Sequence, residues 1–128
     1  MINGKKLVLF VDDARCEHDD WREALKGYDV ATLHAHSCAQ ARSMLTLHRD
    51  SIDAIIWDGD CGDEYSYNGA IQEAKRWFTG LMFASSGSSY FQQEQMKAGC
   101  THRVNKEEAS EKLVELLDLQ PIAAHAAC

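Results

Sequence analysis

Proline is nearly absent from this chain; the single one, Pro121, lies close to the end. No Gly/Ser-rich tract takes its place and no segment repeats, so neither an interdomain linker nor a repeat array is expected. No apolar run approaches the roughly 20 residues of a membrane-spanning helix. The opening "MINGKK" has no signal-peptide core behind it. No membrane partner is expected, and the expected location is cytoplasmic. None of the five cysteines (Cys16, Cys38, Cys61, Cys100, Cys128) belongs to a CxxC pair, and their number is odd. Reduced thiols are the expectation. Positive charge is also scarce: 13 Lys and Arg against 20 Asp and Glu leave a net charge of −7. Phosphate backbones are held by Lys and Arg, so no nucleic-acid partner is expected.

What is present is an alternation of short apolar runs with helical patterns. The 128 residues are sized for one domain. Strands are predicted at "KLVLFV" (6–11), "DVATLHA" (29–35), "DAIIW" (53–57), "GLMFAS" (80–85) and "THRVN" (101–105). Helices are predicted around Trp21, Ala24 and Leu25, then at 37–49 with Ser37 as N-cap, 68–78, 89–99 with Gly99 as the closing residue, and 106–119. Five β-α units imply a three-layer α/β/α sandwich: a parallel sheet of five strands, order 2-1-3-4-5, covered on both faces. Residues 1–119 form that domain; 120–128 is expected to be a flexible tail, fraying or meeting a partner through Ile122.

In such sheets ligands bind outside the carboxyl ends of the strands. Asp12 and Asp13 follow strand one, and Asp58 and Asp60 follow strand three. If these strands are neighbours, the carboxylates converge and repel. A hard dication with oxygen ligands, Mg²⁺ or Mn²⁺, relieves that repulsion. For Asp60 taken alone, a helix cap or a solvated acid is the favoured reading. "SSGSS" (85–89) is placed to hold an anion through hydroxyls and backbone N–H groups, or is simply a polar loop with an N-cap. Lys106 suits developing phosphate charge, or a solvated start of the last helix. His18, His34, His36, His48 and His102 make no metal-ligand spacing and read as surface or packing residues. Tyr65 and Tyr67 either cover the crevice or sit exposed in the loop.

The order "LVLFVDD", "DAIIWD", "LMFAS", "AGCTHRVNK" resembles the receiver domain of bacterial response regulators, nearly end to end. The resemblance implies the receiver/flavodoxin-like fold, Mg²⁺ held by Asp12, Asp13 and Asp58, and Asp58 as phosphoacceptor. It also implies that Lys106, with Ser85 or Ala84 after strand four, contacts the phosphoryl oxygens, alongside Ser86. Phosphoryl groups would come from a partner kinase or a small phosphodonor. With no room for an output domain, a downstream protein or a homodimer would carry the signal of a stand-alone module. The Gly99-to-Lys106 spacing is that of receivers. Glu107 stands where their Pro follows the Lys, and Arg103 where their aromatic switch residue stands.

"LFVDDAR" and "WDGDCGDEYSYNG" also resemble a divergent receiver-like branch that processes cyclic phosphates. There Asp58, Asp60 and Gly62 would belong to a metal-dependent phosphoesterase, with Arg15 pairing to phosphate; a salt bridge from Arg15 to Glu17 or Asp19 is the alternative. Gly59 replaces that loop's His, the natural general acid or base. A pseudo-receiver that only binds a partner is the third reading. "IIWDGDCGD" is also similar to the opening motif of haloacid-dehalogenase-type phosphatases, but that motif begins a domain and here β-α-β-α precedes it.

Overall fold

The computed structural model describes residues 1–58 and 67–122. Five parallel strands, β1 Lys6–Val11, β2 Val30–Ala35, β3 Ala54–Trp57, β4 Leu81–Ala84 and β5 His102–Arg103, form one sheet in the order β2-β1-β3-β4-β5. The order read from the sequence is the one observed. The helices are α1 Arg15–Leu25, α2 Cys38–Leu47, α3 Asn68–Lys75, α4 Ser89–Ala98 and α5 Ala109–Leu116.

Side chains alternate across a strand, and β1 is apolar on both faces. Leu7, Leu9 and Val11 face the cluster containing Ala41, Leu45, Ile71, Ala74 and Ala98, which lies under α2, α3 and α4. Val8 and Phe10 face Trp21, Leu25, Ala109 and Leu113, under α1 and α5. Two cores therefore clamp the middle strands, where Ile55, Ile56 and Trp57 are fully buried. Each Phe or Trp of such a core contributes roughly 3–5 kcal/mol against truncation to Ala.

Local signals set the helix ends. Ser37 caps α2, its Oγ accepting from the Gln40 N–H at 3.1 Å. Gly99 closes α4 at φ +139°, a backbone that disfavours a side chain; a Cβ there would also meet the Lys75 side chain at 3.0 Å. Several elements are shorter than the sequence pattern suggests. β5 spans two residues rather than five, since it pairs only with Phe83 and Ala84 of β4. The last helix begins as a 3₁₀ turn, Lys106–Glu108, before α5. At the end of the described chain Gln120–Ile122 is not loose. The Asp29 N–H donates to the Gln120 carbonyl at 2.8 Å and the Ile122 N–H to Gly27 at 2.9 Å, tying this stretch to the turn after α1.

Candidate functional site

Strand register assembles the site. Val11 pairs with Trp57, so Asp12 and Asp58 emerge side by side, and the Asp58 N–H donates to the Val11 carbonyl at 2.8 Å. Trp57 pairs with Ala84, and the Ser85 N–H donates to the Trp57 carbonyl at 3.0 Å. Ser85, not Ala84, is therefore the residue beside Asp58. Counting back from Lys106 misplaces it by one because the segment from β4 to Lys106 is one residue shorter than that spacing assumes. Asp60 lies outside the described residues, as do Tyr65 and the rest of the loop after Asp58.

One carboxylate oxygen from each of Asp12, Asp13 and Asp58 falls within 4.8 Å of the others. Asp12 is fully buried, Asp58 nearly so, and Asp13 is exposed at the mouth. The Lys106 Nζ lies 3.0 Å from Asp12 Oδ2 and 3.0 Å from Asp58 Oδ1, bridging the two strand ends. The other Asp12 oxygen, Oδ1, accepts from the Ala14 N–H at 2.8 Å. Burial pushes the Asp12 carboxyl above the usual carboxylate range; the Ala14 N–H and Lys106 pull it back only in part. For Lys106 burial works against the charge, but the hydrogen bond to Asp12 and the charge of Asp58 outweigh it, so its pKa rises and the ammonium persists.

The Ser85 hydroxyl is fully buried and, among the described residues, its Oγ has no hydrogen-bond partner. Such a hydroxyl next to Asp58 fits an oxygen-bearing ligand seated between Ser85 and Lys106. Ser86 and Ser88 of the loop are occupied locally. Ser86 Oγ accepts from the Ser88 N–H at 3.1 Å, and Ser88 caps α4. Tyr67 is buried in the core, not exposed on a loop. Arg15 is exposed and, among the described residues, pairs with neither Glu17 nor Asp19; Asp19 takes Arg22 at 3.0 Å.

Two features escape the sequence reading. His18, His34 and His36 form one group, the His18 ring lying 4.9 Å from that of His34 and 4.2 Å from that of His36. The fully buried His18 places Nε2 2.7 Å from the Asp12 carbonyl, so that nitrogen carries the proton. Its Nδ1 must then accept from His34 Nδ1, 2.7 Å away. The three-residue step from His18 to Trp21 on one helical face is the available signal. The second is a pair of buried glutamines on α4. Gln95 reaches the Trp57 and Asp58 carbonyls; Gln92 reaches Ser86 and Arg103.

A parallel five-stranded sheet in this order, with acids at the ends of β1 and β3, is the flavodoxin-like fold of response-regulator receiver domains. Solved receivers superpose over nearly the whole chain. A CheY-like response regulator receiver domain protein from Methanospirillum hungatei matches at TM-score 0.75 and 18% identity, covering 90% of this chain and 95% of that one. A response regulator receiver protein from Pseudomonas putida matches at 0.74 and 22%, covering 91% and 98%. The signal receiver domain of an HD domain-containing protein from Pseudomonas fluorescens matches at 0.76 and 12%, covering 89% and 95%. No protein-family profile matches the sequence. No curated protein matches it either. Among the described residues, no helix is long and apolar enough to cross a membrane.

Proposed function

We propose that this chain is a receiver module in which Asp58 accepts a phosphoryl group. The observation that carries the reading is the single ammonium of Lys106 set 3.0 Å from both Asp12 and Asp58, with the unpartnered Ser85 hydroxyl on the neighbouring strand. Three clustered carboxylates make an all-oxygen donor set, and the one ammonium beside them leaves surplus negative charge. That set suits a hard dication, which typically takes one or two carboxylates and keeps waters. Asp12, Asp13 and Asp58 would hold Mg²⁺ or Mn²⁺, and the ion would neutralise charge between the carboxylates and an incoming phosphoryl group. Membership of Asp60 in that set rests on its place in the sequence, two residues past Asp58.

In the transfer, a carboxylate oxygen of Asp58 forms a bond to phosphorus. The bond from phosphorus to the donor's leaving atom breaks, its electron pair departs with the leaving group, and an acyl phosphate stands on Asp58. Asp58 must enter ionised, and the adjacent ammonium favours that form. Lys106 then exchanges part of its ion pairing for the phosphoryl oxygens as charge develops, while the Ser85 O–H donates to one of them. The donor is a partner kinase or a small phosphodonor such as acetyl phosphate. A downstream protein, or a second copy of the chain, reads the product; the cytoplasm is the setting that fits such a module. Arg103 in the aromatic's place means that the readout does not use a rotating ring.

Beryllofluoride with Mg²⁺, followed by ¹⁹F NMR, tests this. A bound-fluoride signal in the wild type that vanishes in Asp58→Asn is the expected result. Fluoride signals identical in both proteins would contradict Asp58 as the acceptor and leave the phosphoesterase and pseudo-receiver readings.

A further inference from the structure

Resting on the reading of Asp58 as acceptor, we propose that Gln95 is a positioning residue for it. From the middle of α4, the Gln95 Nε2 donates to two consecutive backbone carbonyls, Asp58 at 2.7 Å and Trp57 at 3.0 Å. The side chain is 1% exposed. Its orientation is dictated by its partners: a reversed amide would press a carbonyl oxygen against two others. Both amide protons are thereby committed, and among the described residues the buried Gln95 Oε1 has no partner. An unpaired buried carbonyl is a cost that an apolar side chain of the same volume would not carry. What offsets it is the grip on the backbone at which β3 ends and the acceptor begins.

That grip reaches a point the sheet does not secure. The sheet holds Asp58 through its N–H, to Val11, and strand pairing ends at Trp57. The Asp58 carbonyl lies past the last ladder bond, and Gln95 fixes the peptide plane leaving the acceptor. One turn earlier on the same helix face, Gln92 makes a second strap. Its Nε2 donates to the Ser86 carbonyl at 2.7 Å, and its Oε1 accepts from Arg103 Nε and Nη2 at 3.3 and 3.2 Å. Helix α4 is thus bonded to the chain just after β3, just after β4 and on β5. A change in the Asp58 backbone is passed to α4 through Gln95, and to Arg103 through Gln92, in place of a rotating aromatic.

The test uses ¹⁵N-labelled full-length protein, wild type and Gln95→Met, a variant of similar volume with no donor. In the wild type the Gln95 side-chain amide is expected to exchange with solvent far more slowly than that of the exposed Gln93. In Gln95→Met the backbone amides of Asp58 and Ser85 are expected to exchange about tenfold faster, while those of Val8 and Leu9 in β1 hold their rates, the mark of a local opening. The Mg²⁺–beryllofluoride affinity is expected to fall about tenfold as well. Asp58 and Ser85 exchange within about twofold of the wild type, or a Gln95 amide as exposed as that of Gln93, overturns the proposal. If Gln95→Met does not fold, the wild-type amide measurement alone decides. Wild-type protein that takes up no beryllofluoride overturns the receiver reading instead, and the exchange rates still judge the positioning role.

Discussion

Lys106 is the residue on which the site's electrostatics turn. Its ammonium balances two carboxylates, one fully buried, and is itself 22% exposed. Removing one partner of a fully buried pair costs roughly 3–5 kcal/mol. With Lys106 partly solvated, Lys106→Met should cost about 1–3 kcal/mol in urea unfolding without metal. It should also enlarge the stabilisation by Mg²⁺, since the ion then meets more uncompensated charge. An unchanged midpoint would mean that the ammonium is not balancing the acids. His34 gives a separate check. Burial, with help from the charges of Arg22, His18 and His36 and against that of Asp19, lowers it from 6.5 to about 3. The unfolded chain therefore binds a proton that the folded chain refuses, and stability falls as pH drops below about 6.5 towards 3. Asp12, raised in the fold, works in the opposite direction at the acid end of that window. Melting temperatures at pH 7 and pH 5 should differ more in the wild type than in His34→Gln; an equal difference would show that His34 is not the titrating group. The acids at the strand ends were legible because a carboxylate directly after a buried apolar strand is costly unless it meets a cation or water at the sheet edge. Ser85 was ambiguous by one position, since strand register depends on a partner strand that the sequence does not align. Gln92 and Gln95 were invisible because, by pattern alone, glutamines on a helix read as solvated.

At the scale of elements, the continuous apolar runs of β1, β3 and β4 fixed their place, but their ends did not follow from them. The predicted fifth strand, 101–105, keeps only His102–Arg103, because β4 offers just Phe83 and Ala84 to pair with. The helix expected from Lys106 starts as a 3₁₀ turn, which sets the lysine at the rim where its side chain reaches inward. Caps were readable where the chemistry is local. Ser37→Ala should cost α2 about 1 kcal/mol, because the Gln40 N–H loses its acceptor. Chemical denaturation should find this loss without a change in slope, and a cost near zero would mean that water replaces the cap freely. On α5, Leu113→Ala should cost about 2–5 kcal/mol, since the side chain is fully buried in the cluster that α5 shares with α1.

Over the whole molecule, two cores clamp the sheet, and the candidate site lies at the carboxyl ends of β1, β3 and β4. Binding that favours only the folded state raises its stability by mass action, about 2.7 kcal/mol at a hundredfold excess over Kd. Millimolar Mg²⁺ should therefore raise the wild-type melting temperature, and Asp13→Asn should remove most of that rise without disturbing the core, because Asp13 is exposed. The sheet order and the pocket were readable from the whole pattern, whereas the pinning of Gln120–Ile122 to the turn after α1 was not: backbone hydrogen bonds leave no mark on side-chain composition. The central claim is that Asp58 takes a phosphoryl group. The most direct measurement is intact-mass analysis after incubation with acetyl phosphate and Mg²⁺, with borohydride reduction to mark the acyl phosphate and peptide mapping of its position. A single Mg²⁺-dependent phosphoryl addition mapping to Asp58, and absent from Asp58→Asn, is the predicted result. No addition, or an addition that persists in Asp58→Asn, would contradict it.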